Sequence, residues 1–220
     1  MTSLNRSRSL QLLAKHCLDR VVALLVLLAL APLFLIVAIS IKLADQGPVF
    51  FFQVRIGLQK KLFSIWKFRT MIVDADHFLE SDGSVTTDRV TGVGRVLRYL
   101  SLDELPQLVN IVKGEMSFVG PRPALPGHLY RYTAEQVRRL EMKPGIPGLA
   151  QISGRNQIKW SKRIEYDVNY IDGFSLWLDL KILIRTIKVV IRREGVVLDR
   201  NPEQVDDLTP TIQRNWKNDA

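Results

Sequence analysis

The sequence predicts an α/β fold that is mostly helical, with a small β-hairpin, a membrane helix at the N-terminal end and interfacial amphipathic helices. Three observations predict it. Residues 21–41, VVALLVLLALAPLFLIVAISI, form an uncharged apolar run; two β-rich stretches at 47–57 and 61–71 flank a glycine-bearing turn; helical periodicity marks several of the segments that follow. The 220 residues suit one domain of ordinary size with enough apolar content to bury a core. The net charge of +9 and pI of about 9.8 call for an anionic partner, whether nucleic acid, membrane surface or phosphorylated substrate. The single cysteine, Cys17, excludes an internal disulfide and suits a reducing compartment. His16, His77 and His128 are scattered and lack zinc spacing.

The apolar run is long enough to cross a bilayer as a helix, which takes roughly 20 residues. It is too long for the apolar part of a signal peptide, and no small-x-small cleavage site follows it. An uncharged run of this length is rare as a buried helix of a soluble domain. Arg6, Arg8, Lys15 and Arg20 precede it, and Lys42, Arg55, Lys60 and Lys61 follow. Basic residues mark the cytoplasmic side, so both ends ask to stay inside. Pro32, near the middle, removes one backbone hydrogen bond and kinks the helix. From the residues alone, a helix that bends and returns to the same face and a straight span with a tolerated proline both stay open.

Beyond the run, GPVFFFQVRIG (47–57) and KLFSIWKFRTM (61–71) read as the two strands of the hairpin. SDGSVTTDRVTGVG (81–94) and KPGIPGLAQISGRN (143–156) read as loops, and YTAEQVRRLEM (132–142) as a short amphipathic helix. Residues 175–193 read as a helix whose Lys181, Arg185, Lys188 and Arg192 form a basic stripe beside a wide apolar face with a tryptophan. Such a helix suits the plane of a membrane interface; a core-facing helix with a solvated basic face is the ordinary alternative. The tail beyond Asp199 is polar and reads as poorly ordered. The expected division is a basic segment with its membrane helix over 1–45, a catalytic domain over 46–200 and a polar tail over 201–220.

SLDELPQLVN (101–110) sets Asp103 beside Glu104. Ser101 and Glu104 match a capping box, but Pro106 then falls where the helix needs a hydrogen bond. Asp103 as the N-cap avoids that conflict and puts a carboxylate where the helix dipole favours anions. Lys67, Arg69, Arg98 and Arg122 flank the pair in sequence. Guanidinium forks match phosphate oxygens. Any one of these cations is accounted for by surface solvation; several around an acidic pair also suit a phosphorylated substrate and a hard cation such as Mg²⁺, and a carboxylate there suits nucleophilic attack on phosphorus.

In order, GPVFFFQVRIG, FSIWKFRTM, GRVLRYLSLDELPQLVNIVKGEMSFVGPRP, KPGIPGLAQISGRN and RIEYDVNYIDGFSLWLDLKILIRTI resemble the bacterial sugar transferases over about residues 16–195. More narrowly, they resemble the small monotopic polyprenyl-phosphate phosphoglycosyl transferases. The resemblance implies transfer of a sugar 1-phosphate from a UDP-sugar to polyprenyl (undecaprenyl) phosphate, releasing UMP, as the first membrane step of glycan assembly. It implies an Asp-Glu dyad, here Asp103 and Glu104, working with Mg²⁺, with the aspartate forming a covalent phosphosugar intermediate. Phosphate or substrate contacts are implied for Lys67, Arg69, Arg98, Arg122, Arg155, Arg163 and Asp167. A re-entrant helix broken at Pro32 is implied as well, with Ala31 where the family often has serine. The implied location is the cytoplasmic face of the bacterial inner membrane, among membrane lipids. Downstream glycosyltransferases are the implied partners, and a homodimer is admitted. A non-catalytic membrane scaffold leaves the acidic pair unexplained. A nucleic-acid binder lacks a binding motif and does not account for the apolar run.

Overall fold

The computed structural model describes residues 3–73, 89–154, 158–192 and 207–208. The chain begins with two helices, α1 (Ser3–Ala29) and α2 (Ala31–Asp45), bent by 61° across Leu30. Pro32 sits in the first turn of α2, where its missing N–H is tolerated, and its ring opposes a straight continuation from α1. No single described helix is long and apolar enough to cross a membrane; the bent pair together meets that length and composition. Leu24, Leu25 and Leu28 of α1 and Leu35, Ile36, Ile39 and Leu43 of α2 are exposed. The apolar run therefore offers much of its surface outward.

The opposite face of α1 packs on the rest of the chain. Ala23 joins Ile65, Leu108, Ile111 and Met116 in one core cluster. A buried polar network also pins α1: Lys15 meets Asp179 at 2.5 Å, and Ser117 donates to Asp19 at 2.5 Å. Tyr170 donates to the other oxygen of Asp179 at 2.7 Å.

The hairpin is present, as strands β1 (Phe50–Ile56) and β2 (Leu62–Phe68), antiparallel with Phe50 opposite Phe68 and Ile56 opposite Leu62. Four short helices follow, two of them reaching into stretches expected as loops. α3 (Gly92–Tyr99) starts inside the expected 81–94 loop, because Thr91 caps it by accepting from the Gly94 amide; residues 81–88 lie outside the described residues. α4 spans Gln107–Lys113. The expected 132–142 helix is α5 (Ala134–Val137), with a Thr133–Gln136 capping box, followed by a 3₁₀ turn at Arg138–Leu140. α6 (Leu149–Ser153) forms within the expected 143–156 loop, once the Pro-Gly punctuation ends at Gly148.

α7 (Trp160–Asp172) and α8 (Leu176–Arg192) complete the fold, with Ile171 and Ile182 buried in a second core cluster. On α8, Lys181, Arg185 and Lys188 are exposed beside exposed Trp177, Leu180, Ile184 and Ile187. Most of the tail lies outside the described residues. Asp207 and Leu208 do not float: Leu208 is buried against Ile164 and Val168, and Asp207 accepts from the Ser161 amide at 2.9 Å.

Candidate active site

The acidic pair lies in a 3₁₀ turn, Leu102–Glu104, just ahead of α4. Proline explains the tight turn. Pro106 has no N–H, so this stretch closes through i→i+3 bonds instead: Leu105 to Leu102, Leu108 to Leu105 and Val109 to Pro106. Two local expectations are corrected. The capping box does not form: Ser101 takes a left-handed conformation, φ 57°, and caps nothing. Asp103 is not the N-cap either; Pro106 holds that place before α4.

Glu104 is clamped. Its Oε1 accepts from Lys67 Nζ at 2.8 Å, on β2, and from Arg122 Nη2 at 2.7 Å, in the GPRP loop. Burial opposes its ionisation, but Arg122 and Lys67 outweigh burial and hold the carboxylate well below its ordinary range. Asp103 differs. It makes no hydrogen bond or ion pair to another described residue. Burial first, then the neighbouring Glu104 charge, push its carboxyl above the usual range, partly offset by Lys67, Arg98 and Arg122. The helix dipole does not govern this carboxylate.

Both open onto a cavity of about 990 Å³, whose walls include Lys67, Arg98, Arg122 and Arg163. Arg98 projects from α3 and is steadied by Thr70, to whose hydroxyl its Nε donates at 2.9 Å. Arg163 lies on α7, its guanidinium 5.1 Å from the Trp160 ring centroid. Arg122 is positioned by backbone pairing between two loops: Gly145 N donates to Pro121 O at 3.0 Å and Gly120 N to Pro147 O at 3.1 Å. Glycine is needed at the crossing, because a Cβ on Gly145 would lie 2.1 Å from Gly120 N.

The remaining expected residues divide. Asp167 lines the cavity but is 1% exposed and pairs with Arg139 at 2.6 Å; burial pushes its carboxyl up to about 6 against the pull of Arg139. Arg69 is not on the cavity wall. It is buried and pairs with Asp45 at the end of α2, so its placement corrects the expected phosphate contact to a structural tie. Arg155 lies outside the described residues.

Sequence reasoning missed Arg139. Its side chain, 1% exposed, binds Asp167, the Tyr132 hydroxyl at 2.6 Å and the Arg122 carbonyl at 2.9 Å, and so fixes the loop that carries Arg122. Nothing in RRLEM distinguishes it from the half-buried Arg138 beside it, which pairs with Asp172 further along α7. Asn110 was also missed. It accepts from the Trp66 amide and donates to the Ser64 carbonyl, joining α4 to β2 and so the dyad to Lys67.

The profile of the bacterial sugar transferase family matches residues 10–193. The chain belongs to the bacterial sugar transferases. It is 46% identical over 187 residues to an uncharacterized sugar transferase, EpsL, of Bacillus subtilis, covering 84% of this chain and 91% of that protein. It is 41% identical over 198 residues to the exopolysaccharide production protein ExoY of Rhizobium meliloti, covering 83% and 88%. It is 44% identical over 191 residues to a UDP-glucose:undecaprenyl-phosphate glucose-1-phosphate transferase of Caulobacter vibrioides, covering 83% and 72%. The matched region of this transferase contains the dyad, the hairpin lysine, the GPRP arginine and α7.

Proposed function

We propose that this transferase moves a sugar 1-phosphate from a UDP-sugar to polyprenyl (undecaprenyl) phosphate, giving the polyprenyl-diphospho-sugar and UMP. One observation carries the reading. An uncommitted carboxylate, Asp103, stands beside a cation-clamped one, Glu104, on a cavity walled by Lys67, Arg98, Arg122 and Arg163. Four cations suit a diphosphate, and the carboxylate without a partner suits a nucleophile.

In this reading an Asp103 oxygen attacks the sugar-bearing phosphorus. The bond from that phosphorus to the bridging oxygen breaks, and UMP leaves with the electron pair. The sugar phosphoryl group is then held on Asp103 as a mixed anhydride. A polyprenyl phosphate oxygen attacks the same phosphorus and releases the Asp103 carboxylate. Arg122 and Lys67 keep Glu104 ionised and stay within reach of developing phosphate charge.

Mg²⁺ fits the acidic pair. The described residues gather no cluster of three or more metal-ligating side chains. Mg²⁺ usually needs only one or two carboxylates, completing its shell with substrate phosphates and water. Asp103 and Glu104 would hold it, and when bound it would neutralise diphosphate charge.

The bent α1–α2 pair, with its outward leucines, supports a re-entrant element at the cytoplasmic face of the inner membrane. The exposed Trp177, Ile184 and Ile187 beside Lys181, Arg185 and Lys188 support α8 as an interfacial helix. The names of the Rhizobium and Caulobacter relatives support a place at the start of exopolysaccharide assembly.

The test is UMP release by the detergent-solubilised protein with polyprenyl phosphate, a panel of UDP-sugars and Mg²⁺. EDTA should stop it and added Mg²⁺ restore it. In the absence of acceptor, mass spectrometry should find a sugar-phosphate adduct on the peptide containing Asp103. Release of UDP rather than UMP would point to a different bond cleavage and end the proposal.

A further inference from the structure

The β1–β2 hairpin is packed against the bend between α1 and α2. On one of its faces, Phe63 and Ile65 cluster with Val26 and Leu27 of α1 and with Leu30 at the break. On the other, Phe50 and Phe68 cluster with Leu33 and Phe34 of α2. A bilayer that takes in the bend therefore brings the hairpin to its surface.

Strand pairing sorts the hairpin residues by face. Phe50 and Phe68, Phe52 and Trp66, Val54 and Ser64, and Ile56 and Leu62 are direct partners and share one side. Phe50 is covered by the α2 cluster, and Ile56 is buried where it bridges to Ala124. The rest of that side is bare: Phe52 is 50% exposed, Val54 46% and Leu62 62%. An aromatic run joins it to the bend. By ring centroids, Phe34 lies 5.0 Å from Phe68, Phe68 5.5 Å from Phe50, Phe50 5.5 Å from Trp66, and Trp66 4.8 Å from Phe52.

Cations rim the bare side. Lys113 Nζ stands 5.1 Å over the Trp66 ring, and exposed Lys60 and Lys61 precede Leu62 in the turn. Tryptophan favours the boundary between lipid and water, and lysines draw anionic headgroups. A second copy docked face to face would instead bring these lysines against one another. Depth is limited by the backbone. A two-stranded sheet leaves unpaired groups on its outer edges, and these need water.

We propose that the outer face of the hairpin, formed by Phe52, Val54, Leu62 and Trp66, is a further membrane contact that settles among the headgroups of an anionic bilayer. The inference rests on the membrane reading of the bent pair given above and extends it to a β element.

The experiment uses the full-length protein in vesicles of phosphatidylcholine and phosphatidylglycerol. Val54→Cys, Leu62→Cys and, as the reference on α2, Leu35→Cys are made singly in a Cys17→Ser background and labelled with a fluorophore. All three side chains are exposed, so the substitutions leave the core intact. Each label is quenched in turn by lipid carrying a nitroxide near its headgroup and by acrylamide in the water. Emission at positions 54 and 62 should be lost mainly to the nitroxide lipid, as at position 35. Loss mainly to acrylamide at 54 and 62, with 35 still quenched by lipid, overturns the hairpin contact and leaves the bent pair in the membrane. Protection of 54 and 62 from both quenchers means that a second copy covers the face, and overturns the contact as well. Loss mainly to acrylamide at 35 overturns the membrane reading of the bent pair itself, and the hairpin contact with it, so the two failures are distinguishable.

Discussion

Asp103 and Glu104 are adjacent in sequence and differ in what surrounds them. Lys67 and Arg122 converge on Glu104, and Asp103 is left to the cavity. Asp103→Asn removes the proposed nucleophile at almost constant size and should cost at least tenfold in UMP release, about 1.4 kcal/mol of barrier or more. Activity retained above a tenth of wild type would mean that another group attacks. Glu104→Gln has a signed consequence for pH. A nucleophilic Asp103, as proposed, would attack only when ionised, and burial and Glu104 both raise its pKa. The acid limb of kcat/KM should therefore lie above the ordinary carboxylate range in the wild type. Glu104→Gln removes the repelling charge and frees Lys67 and Arg122 to face Asp103, so the limb should move to lower pH. A limb that stays put or moves upward would mean that Asp103 does not set it.

At the level of elements, the site depends on a salt bridge that touches neither carboxylate of the dyad. Arg139, in the turn after α5, reaches Asp167 on α7 and the carbonyl of Arg122. Arg139→Ala leaves Asp167 buried without its partner, a change that typically costs roughly 3–5 kcal/mol. For a chain of this size that is a fall of roughly 6–20 °C in Tm, measurable by thermal unfolding. The deficit should depend on pH. The folded pKa of Asp167 is raised to about 6 from 3.8, so the folded state holds this proton more tightly than the unfolded state. Its contribution to stability is therefore greatest at low pH and is lost as pH rises through 6. Arg139→Ala should accordingly lose less at about pH 5, where Asp167 can take up a proton, than at about pH 8. An equal loss at both would mean that the lost packing, not the unpaired charge, dominates.

At the scale of the whole molecule, the proposed re-entrant role of the bent pair carries a testable topology. Lys15 is tied to Asp179 in the protein body, and Lys42 lies at the far end of α2. With basic residues at both ends, both should remain cytoplasmic. Single cysteines at Asn5 and Lys61, in a Cys17→Ser background, should resist a membrane-impermeant thiol reagent in intact cells and react after lysis. Labelling of position 5 alone in intact cells would establish a span instead. Pro32→Ala restores an N–H and removes the ring clash, and should yield a mixed population with part of the N-terminus outside. Labelling unchanged by that substitution would show that the proline does not set the bend.

The sequence by itself determined what is local or contiguous. The hairpin alternation, the apolar run with Pro32 and the block from LDELPQ to GPRP are contiguous signals, and contiguous sequence carries their physics. They were enough to name the family. What the sequence misjudged were decisions taken across space. Pro106 made a 3₁₀ turn of the expected helix start, and the Glu104 carboxylate went to Lys67 and Arg122, 37 and 18 residues away in the chain, rather than to a capping box. Arg69 and Arg122 look alike in sequence, yet one is sealed against Asp45 and the other faces the cavity. Arg139 and Arg138 are neighbours, yet one is sealed against Asp167 of α7 and the other, half-buried, pairs with Asp172 at the end of that helix. The charge state of Asp103 was also settled in three dimensions. Burial and an adjacent carboxylate act through distance and dielectric, which no stretch of sequence encodes until the chain has folded around it.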